Sequence, residues 1–326
     1  MILNRLFPFL LVGVCFLQCI IGQEKLYRCP PCASDCHKES YFHPGLCPVC
    51  NMELIFQKES QYKGYAMEEV QIPNDSIMLN AAYYSPINRD SINGVLIVVH
   101  GSAPSTYNDV SYYTGLGTQL GMAVLAFDKR GVGESGGTYE SFSVARSKAW
   151  FNLLASDVLA CVNWIKEKPE LQKAKLGLLG GSQAGWIMPL AASKSKAIDF
   201  MIIGEGVSVS AGEEHYFSQL TGDGDESGIT IAKAHKKLQH FNGEKGFDPR
   251  NILKQLETDA LWFLGTNDPV IPVDATIEEL QRLNKSNFKV VILPHGDHNF
   301  LNTQTNERYD LLSYIKPWLI TIGILE

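Results

Sequence analysis

The stretch Leu176-Gly-Leu-Leu-Gly180-Gly181-Ser182-Gln183-Ala184-Gly185-Trp186-Ile-Met188-Pro-Leu190 places one serine between two kinds of apolar periodicity. Residues 175–179 form a short apolar run of the length of a buried strand, whereas Gln183 onward carries apolar residues at helical spacing. The change of period leaves almost no chain for the reversal, so the turn is abrupt. Gly180, Gly181, Ala184 and Gly185 supply the small side chains that let a strand and a helix pass within contact distance. A serine on such a turn projects its hydroxyl above the end of a sheet. A Gly-x-Ser-x-Ala turn also fits an ordinary strand-to-helix connection, so its meaning depends on what stands at the other strand ends.

Outward from this turn the chain alternates. Strands are predicted at 95–99, 123–127, 175–179, 200–203, 260–264 and 288–293, with helices near 112–120, 149–166, 276–283 and 307–320. Continuous apolar strands separated by helices predict a parallel sheet covered on both faces. Before them, alternation at 65–72 and 77–84 predicts two antiparallel strands, with Pro73-Asn74-Asp75 as their turn. Residues 207–257 interrupt the rhythm with polar, helix-prone sequence and read as an insertion above the strand ends.

Ligands bind at the carboxyl ends of parallel strands. After 95–99 comes His100-Gly101-Ser102-Ala103, after 123–127 comes Asp128-Lys129-Arg130-Gly131-Val132-Gly133-Glu134-Ser135, and after 175–179 comes Ser182. Asp268 stands after 260–264 in Gly265-Thr266-Asn267-Asp268-Pro269, and His298 after 288–293 in His295-Gly296-Asp297-His298-Asn299-Phe300. A serine hydroxyl is a weak nucleophile at neutral pH, so it needs a base, and the base needs an acid to fix its tautomer. Ser182, Asp268 and His298 can supply all three.

These motifs, in this order, resemble the α/β-hydrolase superfamily over about residues 60–326. They look most like its exported, cap-bearing, esterase-like branch, related to dienelactone hydrolase and the prolyl-oligopeptidase catalytic domain. The resemblance implies an α/β fold, the α/β-hydrolase fold: a mostly parallel sheet with helices on both faces and a small helical cap, preceded by a small Cys-rich metal-binding module. It implies Ser182 as nucleophile, His298 as base and Asp268 as acid. The oxyanion hole would come from the backbone N–H of Gln183 and one from Ser102 or Ala103, worth about 3 kcal/mol per donor. Catalysis would need no cofactor. His295 is the rival base, but His298 precedes Phe300 as the family histidine usually precedes an aromatic. Asp274 is the rival acid, but Asp268 follows its strand directly. His100 is expected to brace the oxyanion loop, Asp128 and Arg130 to pair with each other, and Trp186 and Met188 to lie in the core.

The N-terminus reads differently. Arg5 followed by the apolar run 6–21 has the charged start and short hydrophobic region of a secretory signal, too short to span a bilayer comfortably. Residues 1–22 are therefore expected to be a signal peptide and the mature chain to be exported, periplasmic or secreted, with no stable membrane span. Lipid attachment at Cys19 or an uncleaved membrane anchor is the alternative.

Residues 23–57 are cysteine-rich. Cys29-Pro-Pro-Cys32 and Cys47-Pro-Val-Cys50 are two knuckles whose four thiolates can converge tetrahedrally, as zinc prefers. His37, His43 and Met52 nearby would also suit Cu(I). The run from His43-Pro-Gly to Met52 resembles the short heavy-metal-binding module at the ends of exported copper and zinc efflux components, over about residues 27–55. Asn51 stands where a glycine is usual there. Disulfides compete in an oxidising compartment, but five cysteines cannot all pair, so a structural Zn or Cu is preferred, with Cys36 spare. Cys161 reads as a small buried hydrophobe.

A chain of 326 residues, 45% hydrophobic and 19% charged, suits one catalytic-size domain, 58–326 with its cap at 207–257, plus a small module. A formal net charge of -7 leaves no basic stripe to neutralise phosphates, so no nucleic-acid partner is expected. The sequence therefore predicts a serine hydrolase cleaving a small-molecule carboxylic ester. A small peptidase or amidase of the prolyl-oligopeptidase type competes with it, as does a metal-binding or interaction protein whose hydrolase fold is catalytically incidental.

Overall fold

The computed structural model describes residues 26–29, 39–87, 92 and 94–326. The expected signal peptide, with Cys32, Cys36 and His37, lies outside the described residues. The chain begins with β1 (Leu26–Arg28), β2 (Ser40–Tyr41) and β3 (Ile55–Glu59), then the hairpin β4 (Tyr65–Asn74) and β5 (Ile77–Pro86). Alternation follows as β6 (Gly94–Val99), α1 (Ser111–Gln119), β7 (Ala123–Phe127), α2 (Ser147–Lys166), β8 (Lys175–Gly181), α3 (Ala184–Ala192) and β9 (Phe200–Gly204). The helices α4 (Ala211–Thr221), α5 (Ile231–Leu238) and α6 (Arg250–Gln255) come next, ahead of β10 (Asp259–Gly265), α7 (Val273–Leu283), β11 (Phe288–Leu293) and α8 (Leu312–Thr321).

The strands form one sheet in the order β11-β10-β9-β8-β6-β7-β5-β4-β3-β1-β2. From β7 to β11 every pairing is parallel, and from β5 to β2 every pairing is antiparallel. The central strands are apolar throughout because both faces are covered. In β6, Val95 and Ile97 pack with Phe151 of α2 and Trp186 of α3, while Leu96 packs with Leu116 of α1 and Trp318 of α8. The cysteine-rich segment joins this sheet through β3, which pairs with both β1 and β4.

Two local expectations are corrected. The hairpin turn is not at Pro73: β4 runs through Pro73 to Asn74, which pairs with Ile77, and Asp75 takes the left-handed φ of 50° in a two-residue turn. Proline is tolerated there because β3 reaches β4 only at Met67 and Ala66, so at Pro73 no second neighbour needs its missing N–H. The last helix starts at Leu312, later than its apolar spacing predicts. Residues before it are held in extended bridges, Leu301 to Arg308 among them, with Tyr309 N–H donating to the Phe300 carbonyl at 2.9 Å. That segment braces the loop carrying His298.

Candidate active site

The serine turn forms as the change of period requires. Ser182 has φ 57°, a left-handed conformation rare for a side-chain-bearing residue, and its N–H donates to the Gly204 carbonyl at 2.9 Å. The crossing is tight: a Cβ on Gly181 would lie 2.1 Å from the Tyr113 hydroxyl, and one on Gly185 would lie 2.6 Å from Gly206 Cα. Gln183 stands at the start of α3. A strained non-glycine residue persists where the surrounding close approaches over-determine its conformation.

The other strand ends open on the same edge of the sheet. Asp268 is fully buried; its Oδ1 accepts from the backbone N–H of Val270 at 2.7 Å and Ile271 at 3.1 Å. Its Oδ2 lies 2.7 Å from Nδ1 of His298, a side chain 23% exposed. Burial pulls the His298 pKa down, but the hydrogen bond and charge of Asp268, helped by Asp297 and Asp223, outweigh it and the net shift is upward. Asp274 lies elsewhere, 3.6 Å from His235. His295 takes a left-handed φ of 61°, with its N–H donating to Thr266 Oγ1 at 2.8 Å.

The loop after β6 lies against the serine: a Cβ on Gly101 would come 3.6 Å from Ser182 Cβ. Ser102 and Ala103 are exposed there, beside the buried Gln183. His100 is buried, edge-on to Phe127 at 4.6 Å. Burial first, then the charge of Lys129, lowers its pKa to about 3, so it is a neutral wedge under the loop.

Asp128 and Arg130 do not pair with each other. Arg130 makes a two-pronged ion pair with Asp157 of α2, at 3.1 and 2.6 Å, while Asp128 accepts from Tyr107 N–H, Glu134 N–H and Asn80 Nδ2 at 2.8 to 3.0 Å. Each is taken by a different segment: Asp128 by the backbone at Tyr107 and Glu134 and by Asn80 of β5, and Arg130 by the buried carboxylate of α2. Trp186 and Met188 are buried, and Trp186 Nε1 donates to the Val209 carbonyl at 2.8 Å, tying the elbow helix to the chain after β9.

Two residues of the site escaped sequence reasoning. Glu205, directly after β9, is buried at φ 43° with Oε2 accepting from Gly265 N–H at 3.0 Å. Behind the histidine's partner, burial, then the negative charge of Asp268, pushes its pKa well above the ordinary carboxylate range. Lys129 is 1% exposed, and its Nζ donates to three successive carbonyls of the β6 loop. Burial draws its pKa down to about 7. Both stand just past a strand, the signal that could have found them.

A second, separate cluster lies in the N-terminal segment. The sulfurs of Cys29, Cys47 and Cys50 all lie within 4.8 Å of one another, close enough to share one ion. Asn51 has φ 60°, which explains how it fills a position where glycine is usual: asparagine tolerates the left-handed turn that folds the knuckle back. Burial alone would raise the Cys47 thiol, but the N–H groups of Cys50 and Val49, with the Tyr41 hydroxyl and Cys50, bring it down to about 6. That favours the thiolate a soft metal takes. Cys32, the expected fourth ligand, lies outside the described residues, and the exposed His43 is not among the three. The donor set fits zinc or Cu(I). Full-length protein should bind one such ion, and Cys47→Ser should weaken it by more than about 100-fold, since even outer-shell changes cost 10–100-fold. Competition with a chromophoric chelator measures this, and equal affinity in the two proteins would remove the cluster as a metal centre.

No curated protein matches the chain by sequence. Solved structures share its fold at low identity. An esterase from Pyrococcus furiosus superposes with a TM-score of 0.59 at 16% identity, covering 81% of this chain and 96% of its own. Acetyl xylan esterase 1 from a Thermoanaerobacterium species gives 0.56 at 16%, covering 82% and 87%. A cold-adapted esterase from an Arctic intertidal metagenomic library gives 0.53 at 14%, covering 80% and 96%. Among the described residues no helix is long and apolar enough to cross a membrane. The sequence pattern of the prolyl oligopeptidase family matches residues 108–320, well over half the chain, and the protein belongs to that family of α/β-hydrolase-fold serine hydrolases.

Proposed function

We propose that the protein is an exported serine hydrolase that cleaves a small-molecule carboxylic ester through an acyl-enzyme. One observation carries the reading: the 2.7 Å contact of His298 Nδ1 with buried Asp268, on the loops after β11 and β10, at the same edge of the sheet as the strained turn of Ser182 after β8. With Nδ1–H held by Asp268, Nε2 is left to take the Ser182 proton as Oγ bonds to the acyl carbon. The oxygen anion that develops is met by the N–H of Gln183 and that of Ser102 or Ala103. His298 returns the proton to the departing alkoxide as the C–O bond breaks. Water, losing a proton to His298, then attacks the acyl-Ser182 ester and restores the serine.

The esterases of like fold support an ester as the substrate, and helices α4 to α6 at 207–257 are read as the cap that shapes the acyl pocket. The family match supports a second reading, cleavage of a peptide or amide. Export rests on the leader sequence. The metal at Cys29, Cys47 and Cys50, with Cys32, is taken as structural and takes no part in the chemistry.

A rate series of aryl esters against aminoacyl anilides decides between the two readings. Esters should be turned over at least about 100-fold faster, and Ser182→Ala should lower kcat by about 10⁴-fold or more. Faster turnover of the anilides would move the protein to the amidase reading, and an unchanged rate in the variant would remove Ser182 from the mechanism.

The pH profile follows from the sign of the His298 shift. The base must be neutral, and its pKa is raised above the ordinary 6.5, so ester kcat/KM should rise with pH through a midpoint above that value and be lost below it. Asp268→Asn should move the midpoint down and cost about 10³–10⁴-fold in kcat. A midpoint that does not move in this variant would contradict the assigned pairing.

A further inference from the structure

The loop after β6 has an unusual neighbour on its inner side. Lys129, two residues past β7, sends its side chain into the protein and ends on three consecutive carbonyl oxygens: Gly101 at 2.6 Å, Ser102 at 3.1 Å and Ala103 at 3.2 Å. Gln183 Oε1 lies 3.4 Å from the same nitrogen. The Tyr139 ring sits 5.5 Å from the ammonium, and its hydroxyl donates to the Ser102 carbonyl at 2.8 Å. An ammonium has three donors that can radiate from one point, which suits three converging carbonyls better than a planar guanidinium would.

A trans peptide is planar, so the C=O of one residue and the N–H of the next point in opposite directions. Carbonyls of Gly101 and Ser102 turned inward onto Lys129 therefore turn the N–H groups of Ser102 and Ala103 outward, to the exposed side of the loop that abuts Ser182. The ammonium also polarises those peptide groups, strengthening their N–H ends as donors.

We propose that Lys129 is the positioning residue of the oxyanion hole, gathering the carbonyls of residues 101–103 so that the N–H groups of Ser102 and Ala103 face the oxygen anion formed at Ser182. This rests on the reading of Ser182 as nucleophile. Lys129 touches neither substrate nor serine in this role; it acts through the loop, and through Gln183 it ties the loop to the other donor. Its own backbone is fixed by a bond to the Ser105 carbonyl at 3.0 Å and by the turn in which Val132 N–H returns to its carbonyl at 2.9 Å.

The test uses the full-length protein, an aryl ester and a trifluoromethyl ketone analogue of its acyl part, which Ser182 converts to a bound oxyanion. Lys129→Met should lower kcat by about 10²–10³-fold, the loss typical of one missing oxyanion donor, with KM changed less than about threefold. Ketone affinity should fall by the same factor as kcat/KM, while a non-electrophilic ether analogue binds equally well. Tyr139→Phe, which removes only the hydroxyl on the Ser102 carbonyl, should show the same pattern at about tenfold and serves where the methionine variant does not fold. A variant that folds and keeps its kcat, or loses ketone and ether affinity alike, overturns the proposal while leaving the nucleophile intact. Absence of turnover and ketone binding in wild-type protein would instead remove the nucleophile reading, and the proposal with it.

Discussion

A residue with a side chain can hold φ 57° between a strand and a helix only if its surroundings give it no other place to go. At Ser182 those surroundings are backbone. The Gly204 carbonyl of β9 accepts its N–H, and α3 passes so near the chain after β9 that Gly185 and Gly206 admit no Cβ between them. The constraint fixes where the hydroxyl projects, and everything else at the carboxyl edge of the sheet is placed relative to it. The parallel pairing of β8 with both β6 and β9 brings the loop after β6 against the serine from one side and Glu205 from the other.

Charge at this edge is arranged in two buried systems. On one side, the Asp268 carboxylate is satisfied by two backbone N–H groups and His298, and burial with the negative charge of Asp268 disfavours ionisation of Glu205 behind it. On the other, the Lys129 Nζ is surrounded by carbonyl oxygens, with no carboxylate among its bonded partners in the described residues. The first system raises the basicity of the imidazole; the second directs peptide dipoles. Arg130, the neighbouring cation, is spent on Asp157 and holds the loop after β7 to α2.

The strand-and-helix alternation was legible because apolar runs and helical spacing are local properties, and the order of Ser182, Asp268 and His298 was legible because each follows such a run. What escaped depended on contacts between distant segments. A lysine in a polar loop reads as solvated; only the convergence of residues 101–103 on Lys129 reveals it as buried. Glu205 reads as the first polar residue of an insertion until β10 sets Gly265 and Asp268 beside it. Asp128 and Arg130 are close in sequence yet bond to different segments, and Arg130 finds its partner 27 positions away. Pro73 carries turn propensity but lies where β4 lacks a second neighbour, so the strand runs on. The cysteine knuckle was legible from spacing, and the left-handed Asn51 shows how the departure from glycine is absorbed.

The central claim is that Ser182 carries the acyl group. It is tested most directly by mixing the full-length protein with p-nitrophenyl acetate at a pH below the His298 titration, where deacylation is slow, then quenching and mapping peptides by mass spectrometry. One acetyl group per chain is expected, on the peptide containing Ser182. Nitrophenol release with the acetyl group on another residue, or with Ser182 unmodified throughout, would contradict it.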